Sequence, residues 1–121
     1  RLDCIRADSY GNATESDAPP RITSALKNDI AGKHVLVVDD ILDTGKTLSA
    51  IARNLEKAKP ASLKTCVLLD KKERRETNIE ADFSGFEIPD EFVVGYGLDF
   101  AEHYRHLPFI GVLKPEFQAF R

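Results

Sequence analysis

The stretch VLVVDDILDTGKT, Val35 to Thr47, constrains the fold more than any other part of the chain. Val35 to Val38 form an apolar, β-branched-rich run, short enough for a buried strand and too short for a helix of its own. Asp39 and Asp40 end that run. From Leu48 the apolar positions fall at Leu48, Ile51, Ala52 and Leu55, the spacing of a helix with one buried face. The residues between them therefore form a loop at the carboxyl end of a strand and the amino end of a helix. Open α/β sheets bind their ligands at that position.

The residues of the loop narrow the ligand. A helix amino terminus offers unpaired N–H groups and a positive dipole end, so it suits a phosphate, and Gly45 lets the backbone approach closely. Thr44 and Thr47 add hydroxyl donors. The upstream carboxylates would repel a phosphate and suit hydroxyl groups or a hard metal ion. A ribose phosphate, with its phosphate at one end and vicinal hydroxyls nearby, satisfies both halves.

A chain of 121 residues predicts one domain, spanning 1–121, that buries roughly two-thirds of its unfolded surface. The formal charge of −3 with 31% charged residues describes an ordinary surface without a basic stripe, which argues against nucleic acid as a partner. Cys4 and Cys66 each sit in an apolar run and read as small core residues in a reducing compartment. No run approaches the length of a membrane span, and no charged-then-apolar signal opens the chain. There is no methionine, so the chain reads as a processed product or a fragment.

Asp3 to Ala7 read as a short strand. Residues 8–20 are rich in Gly, Pro, Ser, Asn and Asp, a loop long enough to be a functional lid. Arg21 to Ile30 are ambiguous between helical spacing, at Ile22, Leu26 and Ile30, and a short strand at the front. The helix from about Thr47 to Lys59 is closed by Pro60. Leu63 to Leu69 form the next strand, and in a parallel sheet Lys71 and Asp39 stand at adjacent strand ends. The run Lys71 to Glu76 is by default a solvated loop. Phe83, Phe86, Ile88 and Phe92 read mainly as core. Phe92 to Tyr96 is a β-type run broken at Gly95 and Gly97, and Phe109 to Leu113 is a plausible last strand. His34, His103 and His106 lack metal-ligand spacing. The alternation predicts an α/β layer structure.

VLVVDDILDTGKT resembles the phosphoribosyl diphosphate signature of type I phosphoribosyltransferases. FEIPDEFVVGYGLDFAEHYR, Phe86 to Arg105, is similar to the purine-binding region of the hypoxanthine-guanine members, and Ser9-Tyr10 within RADSYGN is similar to their mobile active-site loop, here 8–20. The similarity runs through nearly the entire chain in the family's order. It implies the type I fold, a mainly parallel sheet flanked by helices, incomplete at the amino terminus. The family's segment before the mobile loop, with early strands and a backbone loop gripping diphosphate, has no counterpart in these residues. The chain therefore corresponds to the carboxyl-terminal part of the family's domain, with the remainder expected as a separate or lost piece.

The resemblance implies transfer of phosphoribose from phosphoribosyl diphosphate to hypoxanthine or guanine, giving IMP or GMP. Asp39 and Asp40 would hold the ribose hydroxyls, and Asp43, Thr44, Gly45, Lys46 and Thr47 would wrap the 5′-phosphate. Asp43 would act as general base or acid at the seven-position nitrogen of the purine. Ile41 and Phe92 would sandwich the base, Lys71 would donate to its six-position oxo group, and backbone carbonyls around Val93 and Asp99 would meet its other edge. Mg²⁺ is implied, with Asp99 as its protein ligand, and Arg105 would hold the departing diphosphate. The Ser9-Tyr10 loop would exclude water. The family further implies a cytoplasmic enzyme and a homo-oligomer, a dimer or a tetramer. The alternative is a regulator that binds phosphoribosyl diphosphate or nucleotide without turnover. Asp43, Lys71 and Arg105 together favour the enzyme, because a sensor needs no base reader and no leaving-group clamp.

Overall fold

The computed structural model describes residues 1–8 and 20–118; the expected lid residues Ser9 and Tyr10 lie outside them. Contacts cluster into two compact units, Arg1–Ile88 and Pro89–Arg121. In the first, β1 (Ala7–Asp8) pairs antiparallel with β2 (Arg21–Ile22). β3 (His34–Leu42), α1 (Lys46–Glu56), β4 (Ser62–Asp70) and β5 (Phe83–Glu87) follow. β3, β4 and β5 form a parallel sheet in that order, with β4 central. In the second unit β6 (Val93–Val94) pairs antiparallel with β7 (Gly111–Val112).

β3 is longer than its apolar run. Asp39 and Asp40 lie inside the strand rather than beyond it, because β4 extends equally far and the ladder continues to Leu42 opposite Asp70. Each carboxylate also serves the strand's own backbone: Asp39 Oδ1 accepts from the Asp40 N–H at 2.8 Å and Asp40 Oδ1 from the Ile41 N–H at 2.7 Å. The loop thereby shrinks to Asp43–Gly45.

The expectation of a buried strand fails, since β3 alternates between exposed and half-buried residues up to Leu42. α1 covers one face through Leu48, Ile51 and Leu55, with Leu42, Leu48 and Val67 at the centre of the core and Val37, Ile79 and Ala81 packed around them. Side chains alternate across a sheet, and the other face, bearing Leu36, Val38 and Phe83, is exposed, Val38 by 71%. A single α-helix among the described residues cannot cover both sides. Phe86 and Phe92 are likewise exposed, not core. Cys4 is exposed, and Cys66 is half-buried; both are free thiols.

α1 stops at Glu56, short of Lys59. A residue before proline is driven out of the right-handed helical region, and Lys59 adopts a left-handed φ of 55°. The chain closes there in tight turns, with the Ala58 N–H donating to Leu55 O and the Lys59 N–H to Glu56 O. The strand expected over Asp3 to Ala7 reduces to Ala7–Asp8. Asp3 is engaged elsewhere, since its Oδ2 accepts the backbone N–H groups of Lys27 and Asn28, both at 2.8 Å. That contact also holds the segment after β2 in bends, so its helical spacing produces no helix.

In the second unit Val94, Phe100 and Leu113 form a small core with Tyr104 and Leu107 against it. Gly95 has φ 96° and carries the chain so close to the next segment that a Cβ would lie 2.0 Å from the Phe109 carbonyl oxygen. The turn beyond it is unusual: Tyr96, Ala101, Glu102 and Tyr104 all have positive φ, a conformation uncommon for residues with side chains.

Candidate active site

β3 delivers the acidic residues and α1 the donors. Asp39, Asp40, Ile41, Leu42, Asp43, Thr44, Gly45, Thr47 and Leu48 line one cavity of about 250 Å³. Gly45 caps α1 with φ 87° and no side-chain hydrogen bond, and no acidic residue occupies the first turn. The first intrahelical bond runs from the Ser49 N–H to Gly45 O at 2.9 Å. The N–H groups of Thr47 and Leu48 thus have no partner within the helix, which leaves a positive, open helix end. Lys46 turns from the cavity to pair with Glu76, Nζ to Oε2 at 2.8 Å, which holds the Glu76 carboxyl below its usual range.

On the acidic wall, burial and then a side-chain hydrogen bond with Asp40 push the Asp39 carboxyl up to about 6. The negative charge of neighbouring Asp40 acts in the same direction on Asp39. Asp43 lies in the turn itself. Its Oδ1 has no solvent access and accepts no hydrogen bond. Arg74 Nε lies 3.0 Å away, within ion-pair range but outside hydrogen-bond geometry.

Lys71 begins where β4 ends, and its N–H donates to Leu42 O at 2.9 Å, which places it at the strand end beside the acidic turn. The expectation of a solvated charge run fails for this residue. Lys71 is only 6% exposed, and its ammonium has no hydrogen-bond or ion-pair partner among the described residues.

Sequence reading missed what lies around it. Asp70, the last residue of β4, is buried, and Arg75 reaches its Oδ1 through both terminal guanidinium nitrogens. A buried carboxylate needs a cation, so an acid ending an apolar strand with two arginines nearby was the available signal. The segment after Arg75 closes over the turn: the Glu76 N–H donates to Thr44 O at 2.8 Å, and Ser49 Oγ and Thr77 Oγ1 are 3.2 Å apart. Gly45 is held against this segment so tightly that a Cβ would lie 2.3 Å from Thr77 Oγ1 and 2.8 Å from Ile79 Cγ2.

In the second unit Phe92 stands edge-on to Phe100, ring centroids 5.5 Å apart, with much of its own ring exposed. Val93 begins β6. Asp99 and Arg105 are brought together, with Arg105 Nη2 3.3 Å from Asp99 Oδ1, while Asp99 Oδ2 accepts the Glu102 N–H at 2.8 Å. Arg105 also donates from Nη1 to Gly97 O at 2.8 Å and from Nη2 to Glu102 Oε2 at 3.2 Å. It is a loop-organising residue as well as a candidate anion ligand.

Residues 1–101 match the family model described as phosphoribosyl transferase domain. The chain belongs to that family. It is 51% identical over 110 residues to the hypoxanthine phosphoribosyltransferase of Escherichia coli (strain K12), covering 91% of this chain and 62% of that protein. It is 48% identical over 114 residues to the hypoxanthine-guanine phosphoribosyltransferase of Bacillus subtilis (strain 168), covering 94% and 63%. It is also similar to the crystal structure of a hypoxanthine phosphoribosyltransferase from Staphylococcus aureus, with TM-score 0.88, 50% identity and coverage of 95% of this chain and 62% of that one. The fold is that of the type I phosphoribosyltransferases, and the chain spans less than two-thirds of the length of these relatives. No helix among the described residues is long and apolar enough to cross a membrane.

Proposed function

We propose that the full-length protein carrying this chain transfers phosphoribose from phosphoribosyl diphosphate to hypoxanthine or guanine, giving IMP or GMP and diphosphate. The observation that carries this reading is the uncapped, acid-free start of α1, opening onto a cavity whose other wall bears three carboxylates. A phosphate satisfies the first and ribose hydroxyls the second. In this reading Asp39 and Asp40 accept the hydroxyls, while Thr44, Gly45, Lys46 and Thr47 surround the 5′-phosphate.

The bond from the anomeric carbon to the diphosphate oxygen breaks and the bond to the purine nitrogen forms. Asp43 takes the proton from the seven-position nitrogen. Ile41 and Phe92 offer apolar faces to the base. The unpaired ammonium of Lys71 can only donate, so it selects a six-position oxo group over an amino group. Backbone carbonyls at Val93 and Asp99 take the other edge, Arg105 clamps the diphosphate, and the 8–20 loop with Ser9 and Tyr10 excludes water.

No three His, Cys, Asp or Glu side chains converge among the described residues. In this reading Asp99 would offer Mg²⁺ one carboxylate donor, with substrate oxygens and water as the other ligands. When bound, the ion neutralises charge on the leaving diphosphate. We assign both units, 1–121, to the carboxyl-terminal part of one phosphoribosyltransferase domain, acting in the cytoplasm as a dimer or tetramer. The exposed apolar face of Leu36, Val38 and Phe83 supports further burial in the assembled protein.

The test is diphosphate release by the full-length protein with Mg²⁺, phosphoribosyl diphosphate and each oxopurine in turn. Release with hypoxanthine or guanine and not with adenine is expected. Absence of release with every oxopurine overturns the enzymatic reading.

A further inference from the structure

The segment that follows β4 is hydrogen-bonded to the chain on both sides of Asp43. The Lys71 N–H donates to the carbonyl of Leu42, the residue before Asp43, and the Glu76 N–H donates to the carbonyl of Thr44, the residue after it. Between these two bonds Lys72–Arg74 form one 3₁₀ turn, and that turn sets Arg74 Nε 3.0 Å from Asp43 Oδ1. The Lys46–Glu76 ion pair and the Ser49–Thr77 hydroxyl contact continue the same closure onto α1.

We propose that Arg74 is a positioning residue for Asp43. It compensates the charge of the carboxylate beside a cavity that Asp39 and Asp40 also line and fixes the rotation of the group by its Oδ1, so that Asp43 meets the purine in one orientation. The inference rests on the reading of Asp43 as proton carrier. An exposed ion pair between two mobile side chains is worth little, and both partners here are part-exposed. The difference is that both backbones are already pinned, by hydrogen bonds of 2.9 and 2.8 Å that bracket the pair, so little ordering is left for the contact to impose. The Oδ1 atom is also sealed from water without an accepted hydrogen bond, which leaves the arginine charge to stabilise it. Neighbouring Arg75 cannot take this role, because its guanidinium is committed to Asp70.

The test is a kinetic cycle in the full-length protein with Arg74→Gln, Arg74→Lys, Asp43→Asn and the double variant Arg74→Gln/Asp43→Asn. Arg74→Gln is expected to lower kcat about tenfold with both KM values within about twofold, while Arg74→Lys, which keeps the charge, stays within about threefold of the unaltered protein. In the Asp43→Asn background the Arg74→Gln loss should disappear, because the group it acts through is gone. An undiminished loss in that background overturns the proposal, as does a loss of Arg74→Gln expressed in KM with a lowered Tm, since either means a structural role alone. Absence of turnover by the unaltered protein overturns the enzymatic reading and this role with it. Turnover that Arg74→Gln leaves unchanged overturns the role of Arg74 alone.

Discussion

The turn Asp43–Gly45 and the turn around Asp99 and Arg105 both use glycines with left-handed backbone and both present charge, yet they reach their shapes differently. The first is imposed from outside. Two parallel strands end side by side, the segment after β4 is bonded across the turn, and the groups facing the cavity are left with few partners. The second is held from within, by Arg105 reaching Gly97, Asp99 and Glu102 and by a run of positive φ angles. A turn held from outside can leave its functional groups unpaired and ready. A turn held from within uses those same groups as struts, so a ligand must compete for them.

Removing the chemistry from the first turn should leave its architecture intact. Asp43→Asn is expected to lower kcat by about a hundredfold or more while nucleotide affinity and Tm stay nearly constant; unchanged turnover would take Asp43 out of the base role. Removing the architecture should do the reverse. In Gly45→Ala a Cβ must fit against Thr77 and Ile79 at a φ of 87°, for a cost of about 3 kcal/mol. Gly97→Ala carries a similar φ of 95° but meets nothing within 4 Å, and should cost about 1 kcal/mol. Equal Tm losses in thermal melts would erase the distinction between the turns.

Lys71→Ala should weaken oxopurine binding by roughly tenfold or more, the loss of one charge-assisted hydrogen bond, with phosphoribosyl diphosphate binding little changed in calorimetry. Equal losses would mean that Lys71 does not read the base. Arg105→Gln should differ in kind, lowering Tm by a few degrees and weakening diphosphate binding by roughly tenfold together. Loss of binding with full thermal stability would show that the second turn does not depend on its arginine.

The smallest effect concerns pH. The Asp39 carboxyl is raised from 3.8 to about 6, first by burial and then by its hydrogen bond with Asp40. Folding therefore favours the protonated form, and the stability this contributes is complete below pH 3.8 and lost as pH rises through about 6. Hydroxyl recognition needs the ionised form, so phosphoribosyl diphosphate affinity should fall by a few fold as pH drops through about 6. Asp39→Asn should flatten both profiles; an unchanged pH dependence of binding would assign that titration to another group.

The strand, turn and helix from Val35 to Leu55 were legible because their signals are local: a β-branched run, a glycine, then helical spacing. The parallel pairing of β3 with β4 was carried by the resemblance to the family rather than by that local pattern. The length of β3 was not legible, since Asp39 to Leu42 are strand only because β4 offers them partners. β5 was missed for a related reason: Phe83 and Phe86 read as core, but β5 is an edge strand exposed along its whole length, and spacing within one element carries no record of its place in the sheet. The closure by Arg74, Arg75, Glu76 and Thr77 was hidden because a mixed charge run looks the same in solvent and against a neighbouring turn. The end of α1 could have been read more closely, since Pro60 restricts Lys59 before it acts on its own account.

The two amide bonds that bracket Asp43 have a consequence for measurement. Their donors, Lys71 and Glu76, lie on one stretch of backbone and their acceptors on another, more than twenty-five positions earlier in sequence, so neither can open without the two stretches parting. Hydrogen exchange at these amides is therefore a native clock on how often the turn comes apart. A ligand that settles into the turn should slow both together, which gives a label-free readout of occupancy that needs no turnover.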